Sequence, residues 1–444
     1  TFLDGQPSST FLVYVSGILG FSHDAQSFQS ATLYTPLLSA LIYTQRILFL
    51  EWALPLRAYP SLGIPARPFT GLLDRLQRIQ RAYLVEGSQS AFDELFSLRA
   101  AGRAAARNEP PSTFFRWSDD GQTLSYEDGV LISMDQFRLL SQYALTTSEQ
   151  LACRVLCGFR PAVNLSSLRD EMTNTDMGFS FVSHPSNGLS TAYQALLQAA
   201  ATSRYYQLIR AERWNQAGIT RYLNDVQALE RMLLLGLYTA CGQAPRAEDL
   251  LSVRWQNGAG CARGIYVWNG SLIYVVRHHK AKRRSNHEFY SVRFLPSRLA
   301  FLLLSYLVYI RPFCQLLRRE TSPGLTQEAM TNRAYLFLFQ PYKASRAAVL
   351  VTSILRDATS KIWNRALGIQ AYRQLSIAIA EKHVRELRRP ADVYDDRSRE
   401  ADLHVALAWQ SGHRPLVRGT HYGLDGAFPA RLQPNLLRAY ELLV

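Results

Sequence analysis

Apolar residues recur at three- and four-residue steps through 34–54, 68–86, 90–106 and 135–158, the period of helices with one buried face. The spacing predicts four helices there, separated by polar or Pro-containing breaks. Between the third and fourth, RNEPPSTFFRWSDDGQTLSYEDG (107–129) reads as a loop with a short hairpin, because Pro110, Pro111 and Asp120-Gly121 are turn formers. A second break, TDMGFSFVSHPSNGLST (175–191), is rich in Gly, Ser, Asn and Pro, and a domain boundary is expected there.

Beyond it, long helices are expected at 192–214 and 217–241, then a β-rich region over 251–296. GIYVWNG and SLIYVVRHH are strand-like runs joined by Asn269-Gly270, a strong two-residue hairpin signal, and HEFYSVRFLP supplies a third strand. Helical spacing resumes at 297–318, 346–367, 370–388 and 400–411. The segment RLQPNLLRAYELLV (431–444) reads as a short amphipathic helix with a stripe of Leu432, Leu436, Tyr440 and Leu443. The fold class that follows is mainly α with a small antiparallel β-sheet, in two domains, 1–185 and 190–444. The apolar stretches at 37–56 and 299–310 both read as buried core helices; Gln45, Arg46 and Glu51 interrupt the first, and the second is short, so neither is expected to span a bilayer.

Composition narrows the partner. Lys and Arg number 49 against 35 Asp and Glu, a net +14, which favours a polyanion such as nucleic acid or an acidic membrane surface. With 48% hydrophobic residues the chain belongs to the globular regime. Cys153, Cys157, Cys241, Cys261 and Cys314 are few and scattered, which points to a reducing compartment without a disulfide framework. Cys153 and Cys157, one helical turn apart, read as small buried apolar residues. The N-terminal segment has neither a basic region nor a small-residue cleavage site, so no signal peptide is expected. No Gly-rich phosphate loop is present, which argues against an NTPase or a dehydrogenase.

Four segments carry candidate chemistry. In GHRPLVRGTHYGLDG, His413 and Tyr422 stand nine residues apart, a step that could bring both to one phosphate. In CGQAPRAEDLLSVRW, Arg246 follows a Gly/Pro turn and begins a helix with apolar Leu250, Leu251, Val253 and Trp255; Asp249 could brace it. Lys280 lies at the end of a strand, followed by Lys282, Arg283 and Arg284, a cluster suited to phosphate contact. Arg373 sits in a helix whose buried face carries Leu375, Ile377, Ala378 and Ile379, where an arginine needs a partner. Each segment alone has an ordinary structural explanation. His278, His279 and His287 lack ligand-spaced partners and read as phosphate contacts or solvated residues; the runs YLFLFQPY and SRYYQLI read as packing.

In this order the segments resemble the tyrosine recombinases. Arg246 with Asp249-Leu250 and Trp255 resembles their first box, and Gly412-His413 with Tyr422 the last. The hairpin ending in HHK, the RFLP strand end, AYRQLSIAIA and GH…YGLDGAF are similar to the fungal Crypton-type recombinases of DNA transposons, over roughly 190–430. The second box of the family usually carries His three residues before its Arg; here that position is Gln370, and the interval from Arg373 to His413 is longer than in compact members.

The resemblance implies a helical core-binding domain over 1–185 and a catalytic domain over 190–444, closing as a C-shaped clamp on duplex DNA. It implies Tyr422 as nucleophile forming a 3′-phosphotyrosyl link, and Arg246, Arg373 and His413 as donors to the phosphate oxygens. Lys280 would be the general acid for the leaving 5′ oxygen, with Lys282 as fallback, and Gln370 would face the DNA. The bond energy is retained in the link, so no metal or other cofactor is expected. The setting implied is the nucleus, with transposon ends and target as DNA partners, dimers or tetramers on DNA, no membrane, and 431–444 docking on a neighbouring protomer. Three rivals stay open, the first two being a type IB topoisomerase-like relaxing enzyme and a domesticated, weakly catalytic DNA-binding protein. A helical scaffold without a DNA role is the third.

Overall fold

The hydrophobic period of the first hundred residues gives three helices in the computed structural model, which describes residues 19–413 apart from 23, 25, 86, 89, 109–114, 127–128, 278–289, 322–333, 339–343 and 385–402. Helix α1 (Ala31–Ala53) runs along α3 (Ala91–Asn108) and also meets α2 (Leu72–Tyr83). Leu38 and Ile42 of α1 bury against Phe92 and Leu95 of α3, and Gly102 lets the helices approach, since a Cβ there would stand 2.8 Å from Thr35 Oγ1. The expectation of a buried helix at 37–56 is corrected here. Tyr43, Ile47, Leu48, Leu50 and Trp52 of α1 are exposed among the described residues. One apolar stripe feeds a small core, and the remaining apolar positions face outward.

By contact the chain divides into two units, residues 1–111 and 112–444. The break at 175–191 falls inside the second, so residues 112–185 share a unit with the segments of candidate chemistry. That unit opens with a three-stranded antiparallel sheet: β1 (Phe115–Trp117), β2 (Thr123–Tyr126) and β3 (Val130–Ser133). The expected hairpin is present, its turn shaped by Gly121 at φ +67°, and β3 is an addition to it. Ser133 then starts α4 (Met134–Val155) with a reciprocal capping box to Gln136, which satisfies two of the donors that a helix start leaves open. Cys153 at its end is exposed and Cys157 only half-buried, which corrects the reading of this pair as buried apolar residues.

Helix α5 is short, Tyr193–Ala201, where one helix to 214 was expected. Ala211 and Glu212 both take positive φ and turn a small hairpin between β4 (Ile209–Arg210) and β5 (Arg213–Trp214). Tyr206, in the apolar run, is buried with its hydroxyl on Asp225 at 2.8 Å, so tertiary packing overrides the helical period. Helix α6 (Gln216–Thr239) lies against α4 as the central pair of the unit. Its Gly218 is required by a close crossing: a Cβ would meet the Tyr206 carbonyl oxygen at 2.3 Å.

After the five-residue α7 (Ala247–Leu251) the chain is extended, with Leu336 N–H donating to Val253 O and Trp255 N–H to Ala334 O, so the helix expected through Trp255 ends early. Strands β6 (Ile265–Trp268), β7 (Ser271–Val276) and β8 (Ser291–Phe294) form the expected antiparallel sheet in sequential order. Asn269 and Gly270 take φ +47° and +72°, as a tight hairpin of matching twist demands. One face meets α6, where Tyr274 donates to Leu237 O. On the other side Asp170 binds Arg263 at 2.5 Å and accepts from Val267 N–H.

Helix α8 (Ser297–Ser305) continues through a π-helical turn at 306–310 into α9 (Arg311–Thr321). By length and composition α1 and this continuous helix could each cross a membrane; 78% of the most apolar window in the latter is buried inside the unit, against 11% in α1. Helices α10 (Ala344–Trp363), α11 (Ile369–His383) and α12 (Leu403–Gln410) complete the described fold. It is mostly helical with small antiparallel sheets, as the hydrophobic pattern predicts.

Candidate functional site

The end of α12 is where distant parts of the chain meet. Gly412 takes φ +78°, open to glycine at little cost, and reverses the chain. Gly412 N–H donates to Trp409 O at 2.9 Å and His413 N–H to Ala408 O at 3.0 Å, the paired bonds of a Schellman terminus. His413 is thus fixed by backbone geometry directly after the helix. Its Nδ1 stands 3.2 Å from Ser411 Oγ, whose own hydroxyl reaches Ala408 O at 2.7 Å.

Three arginines from three elements each hold one of the successive carbonyls at this terminus. Arg293, buried on β8, donates through Nη2 to Gln410 O, through Nε to Gln243 O at 2.9 Å and through Nη1 to Ser291 Oγ at 2.9 Å. Arg373 of α11 donates to Ser411 O at 2.7 Å. Arg246, the residue that caps the start of α7, donates through Nη2 to Gly412 O at 3.0 Å. The carbonyl end of a helix is electronegative, so cations belong there, and these guanidiniums replace bonds the helix cannot make for itself.

The Gln410 side chain binds the same parts. Its Oε1 accepts from Gln243 N–H at 3.0 Å, and its Nε2 donates to Val292 O at 3.1 Å on the β8 edge. Gly242, at φ +89°, makes room: a Cβ there would meet Gln410 Oε1 at 2.7 Å. The turn before Arg246, the strand carrying Arg293 and the terminus carrying His413 are therefore one hydrogen-bonded assembly.

Arg246, Arg373 and His413 are thus brought together around residues 411–413, although up to 166 positions separate the bonded partners. Arg246 Nη1 approaches Asp249 Oδ2 at 4.0 Å, the expected brace at ion-pair range, and makes no hydrogen bond among the described residues. The Arg246 side chain keeps 29% of its surface exposed, while its Nη1 atom is itself buried. Gln370 is exposed in the first turn of α11, three residues before Arg373. Lys280, Lys282, Arg283, Arg284, His278, His279, His287 and Tyr422 lie outside the described residues, as does 431–444.

A cleft lined by Arg246, Asp249, Ser291, Arg293, Trp409 and Gly412 marks the site. A larger open depression, about 490 Å³, lies at the β6–β7 turn between Leu168, Asp170, Met172, Trp268 and Gly270, and none of the candidate residues lines it. Arg293 and Gln410 are the site residues that the sequence did not disclose. The alternation in β8, with Ser291 and Arg293 inward and Val292 and Phe294 outward, was the available signal for Arg293.

Compared with known proteins, the chain matches no family model, and no solved structure matches it.

Proposed function

We propose that this protein cleaves and rejoins DNA strands through a phosphotyrosyl intermediate on Tyr422, as a tyrosine recombinase acting on transposon DNA. The observation that carries the reading is the meeting of Arg246, Arg373 and His413 at one helix terminus, nine residues before Tyr422. Attack on a phosphodiester gathers negative charge on the non-bridging oxygens, and planar guanidinium donors suit those oxygens. Tyr422 would attack phosphorus as it loses its proton, forming the 3′ link. Lys280 would give the proton to the departing 5′ oxygen, and a second DNA end would later reverse the step. On this reading the 1–185 and 190–444 regions would clasp duplex DNA as a C-shaped clamp, copies assemble as dimers or tetramers on DNA, and the protein works in the nucleus. Neither metal nor cofactor enters the chemistry. Type IB topoisomerase-like relaxation would use the same steps on one duplex.

A second reading, a domesticated DNA-binding protein with weak catalysis, is favoured by Gln370 where the family carries His. Both are tested by a denaturing-gel assay for a covalent protein–DNA adduct on nicked duplexes, native chain against Tyr422→Phe. An adduct that disappears with the substitution establishes nucleophile and reaction class together. Persistence in Tyr422→Phe overturns the assignment. DNA binding without any adduct in the native chain establishes the second reading.

A further inference from the structure

Arg246 and Arg373 reach the terminus of α12 from different parts of the chain, and the side chain of Gln243 joins the two elements that carry them. Gln243 is buried, and its Nε2 donates to Ser376 O at 3.3 Å. Ser376 Oγ lies 3.4 Å from Gln243 Oε1 and 3.0 Å from Arg373 O, both within its donor range. Ser376 is itself buried, one turn beyond Arg373 on α11. The main chain of Gln243 is held from the other side, its N–H on Gln410 Oε1 at 3.0 Å and its O by Arg293 Nε at 2.9 Å. One residue thus bonds to α11, α12 and β8, and Arg246 follows three positions later.

Those three positions leave little slack. Pro245 fixes its own φ and biases Ala244 before it to extended backbone, and both residues are buried. On the other side Ser376 and Arg373 share a helix face at the i, i+3 step. A shift of Gln243 relative to Ser376 is therefore a shift of Arg246 relative to Arg373. An apolar side chain would fill the same space, but apolar packing has no direction, whereas a carboxamide bonded to the helix favours one register of the turn upon it. With only 6% of its surface exposed, Gln243 is not placed to touch a substrate, so any effect on chemistry passes through the arginines.

We infer that Gln243 is a positioning residue that holds Arg246 and Arg373 at the spacing needed to grip one phosphate group. The inference rests on the reading of the protein as a DNA-cleaving enzyme, and it assigns to that site a residue that touches neither the phosphate nor the nucleophile. Donors to a transition state must stand within about 0.5 Å of their productive positions. A misplacement of about 1 Å can cost about 10²-fold in rate. Loss of the Gln243 bonds therefore slows cleavage while leaving duplex contacts made elsewhere as they are.

The experiment is a double-mutant cycle on single-turnover adduct formation, with the full chain and a nicked duplex, beside anisotropy for duplex affinity and thermal melts. Gln243→Met keeps the length of the side chain and removes its bonds. Gln243→Asn, a carboxamide one methylene short of Ser376, is the second variant should the first fail to fold. Either should slow adduct formation by about 10-fold with duplex affinity changed by less than about 2-fold. In the Arg373→Ala background the same substitution should cost less than about 2-fold more, because the spacing it guards no longer exists. A merely structural role would lower the melting temperature and cost the same factor in both backgrounds. An unchanged adduct rate in a folded Gln243 variant overturns the inference, as does full additivity with Arg373→Ala or failure of both variants to fold. Failure of the parent reading looks different: the native chain itself forms no adduct, and the inference falls with it.

Discussion

In the second unit Arg263, Arg293 and Arg311 are fully buried, and each directs donors at oxygens of the protein: Asp170 and Glu171 O, the Gln410 and Gln243 carbonyls, and Leu336 O. In the first unit Arg46 and Arg99 lie over aromatic rings and Arg103 is exposed one turn further on, with no carboxylate in ion-pair range among the described residues. The same side chain serves as an internal strut in one place and remains an unpaired charge in the other. What separates the roles is the number of acceptors the fold supplies. A buried guanidinium without acceptors would be prohibitively costly, whereas an exposed one tolerates their absence. Arg246 stands between the classes, with one nitrogen on Gly412 O and another making no protein hydrogen bond.

That comparison can be broken by substitution. Arg246→Ala and Arg373→Ala should each lower the rate of adduct formation by about 10²–10³, the usual cost of one transition-state donor, with duplex affinity nearly unchanged. Single-turnover cleavage beside anisotropy separates this loss of rate from a loss of DNA binding. Equal effects on both readouts would erase the distinction. Next in size, Arg293→Met should destabilise the second unit by about 3 kcal/mol in urea melts, because buried carbonyls lose their donor at about 1–3 kcal/mol apiece. An unchanged urea midpoint would remove Arg293 from the struts. Smaller again, Gly412→Ala should cost about 1 kcal/mol, since an alanine at positive φ is strained, and should slow cleavage more than it weakens DNA binding.

The smallest expected effect concerns pH. Burial pushes the Glu230 carboxyl above its ordinary 4.5, while hydrogen bonds from Tyr306 and Leu338 N–H oppose the shift. A carboxyl with a raised folded value favours the folded state most when both states are protonated. Its contribution is therefore full below 4.5 and is lost as pH rises through the folded value. Glu230→Gln should flatten the fall in stability over that window, read from urea melts at a series of pH values. A fall of the same steepness in the variant would assign it to other groups.

Much of the architecture was legible because long amphipathic helices and a two-residue hairpin leave strong periodic marks. The pairs α1/α3 and α4/α6 and the Asn269-Gly270 turn are of this kind. The β4–β5 hairpin was not, since nothing local says that Ala211 and Glu212 will take positive φ; packing of Tyr206 and the crossing at Gly218 impose it. The exposure of α1 was equally hidden, because periodicity counts apolar positions and says nothing of how much surface a neighbour can cover. At the site, Arg246, Arg373 and His413 were found through order and spacing. Gln410 had no such mark, for its role is to bridge Gln243 and Val292, which come near only in the finished fold.

The three-arginine terminus of α12 also bears on biosynthesis. Its bonds join residues separated by 38, 117 and 166 positions, and every one of them ends on Gln410, Ser411 or Gly412. A ribosome-bound chain short of those residues has Arg246, Arg293 and Arg373 but nothing for them to gather around. Early termination would therefore yield products in which these arginines have no common terminus to hold, and the site is never assembled.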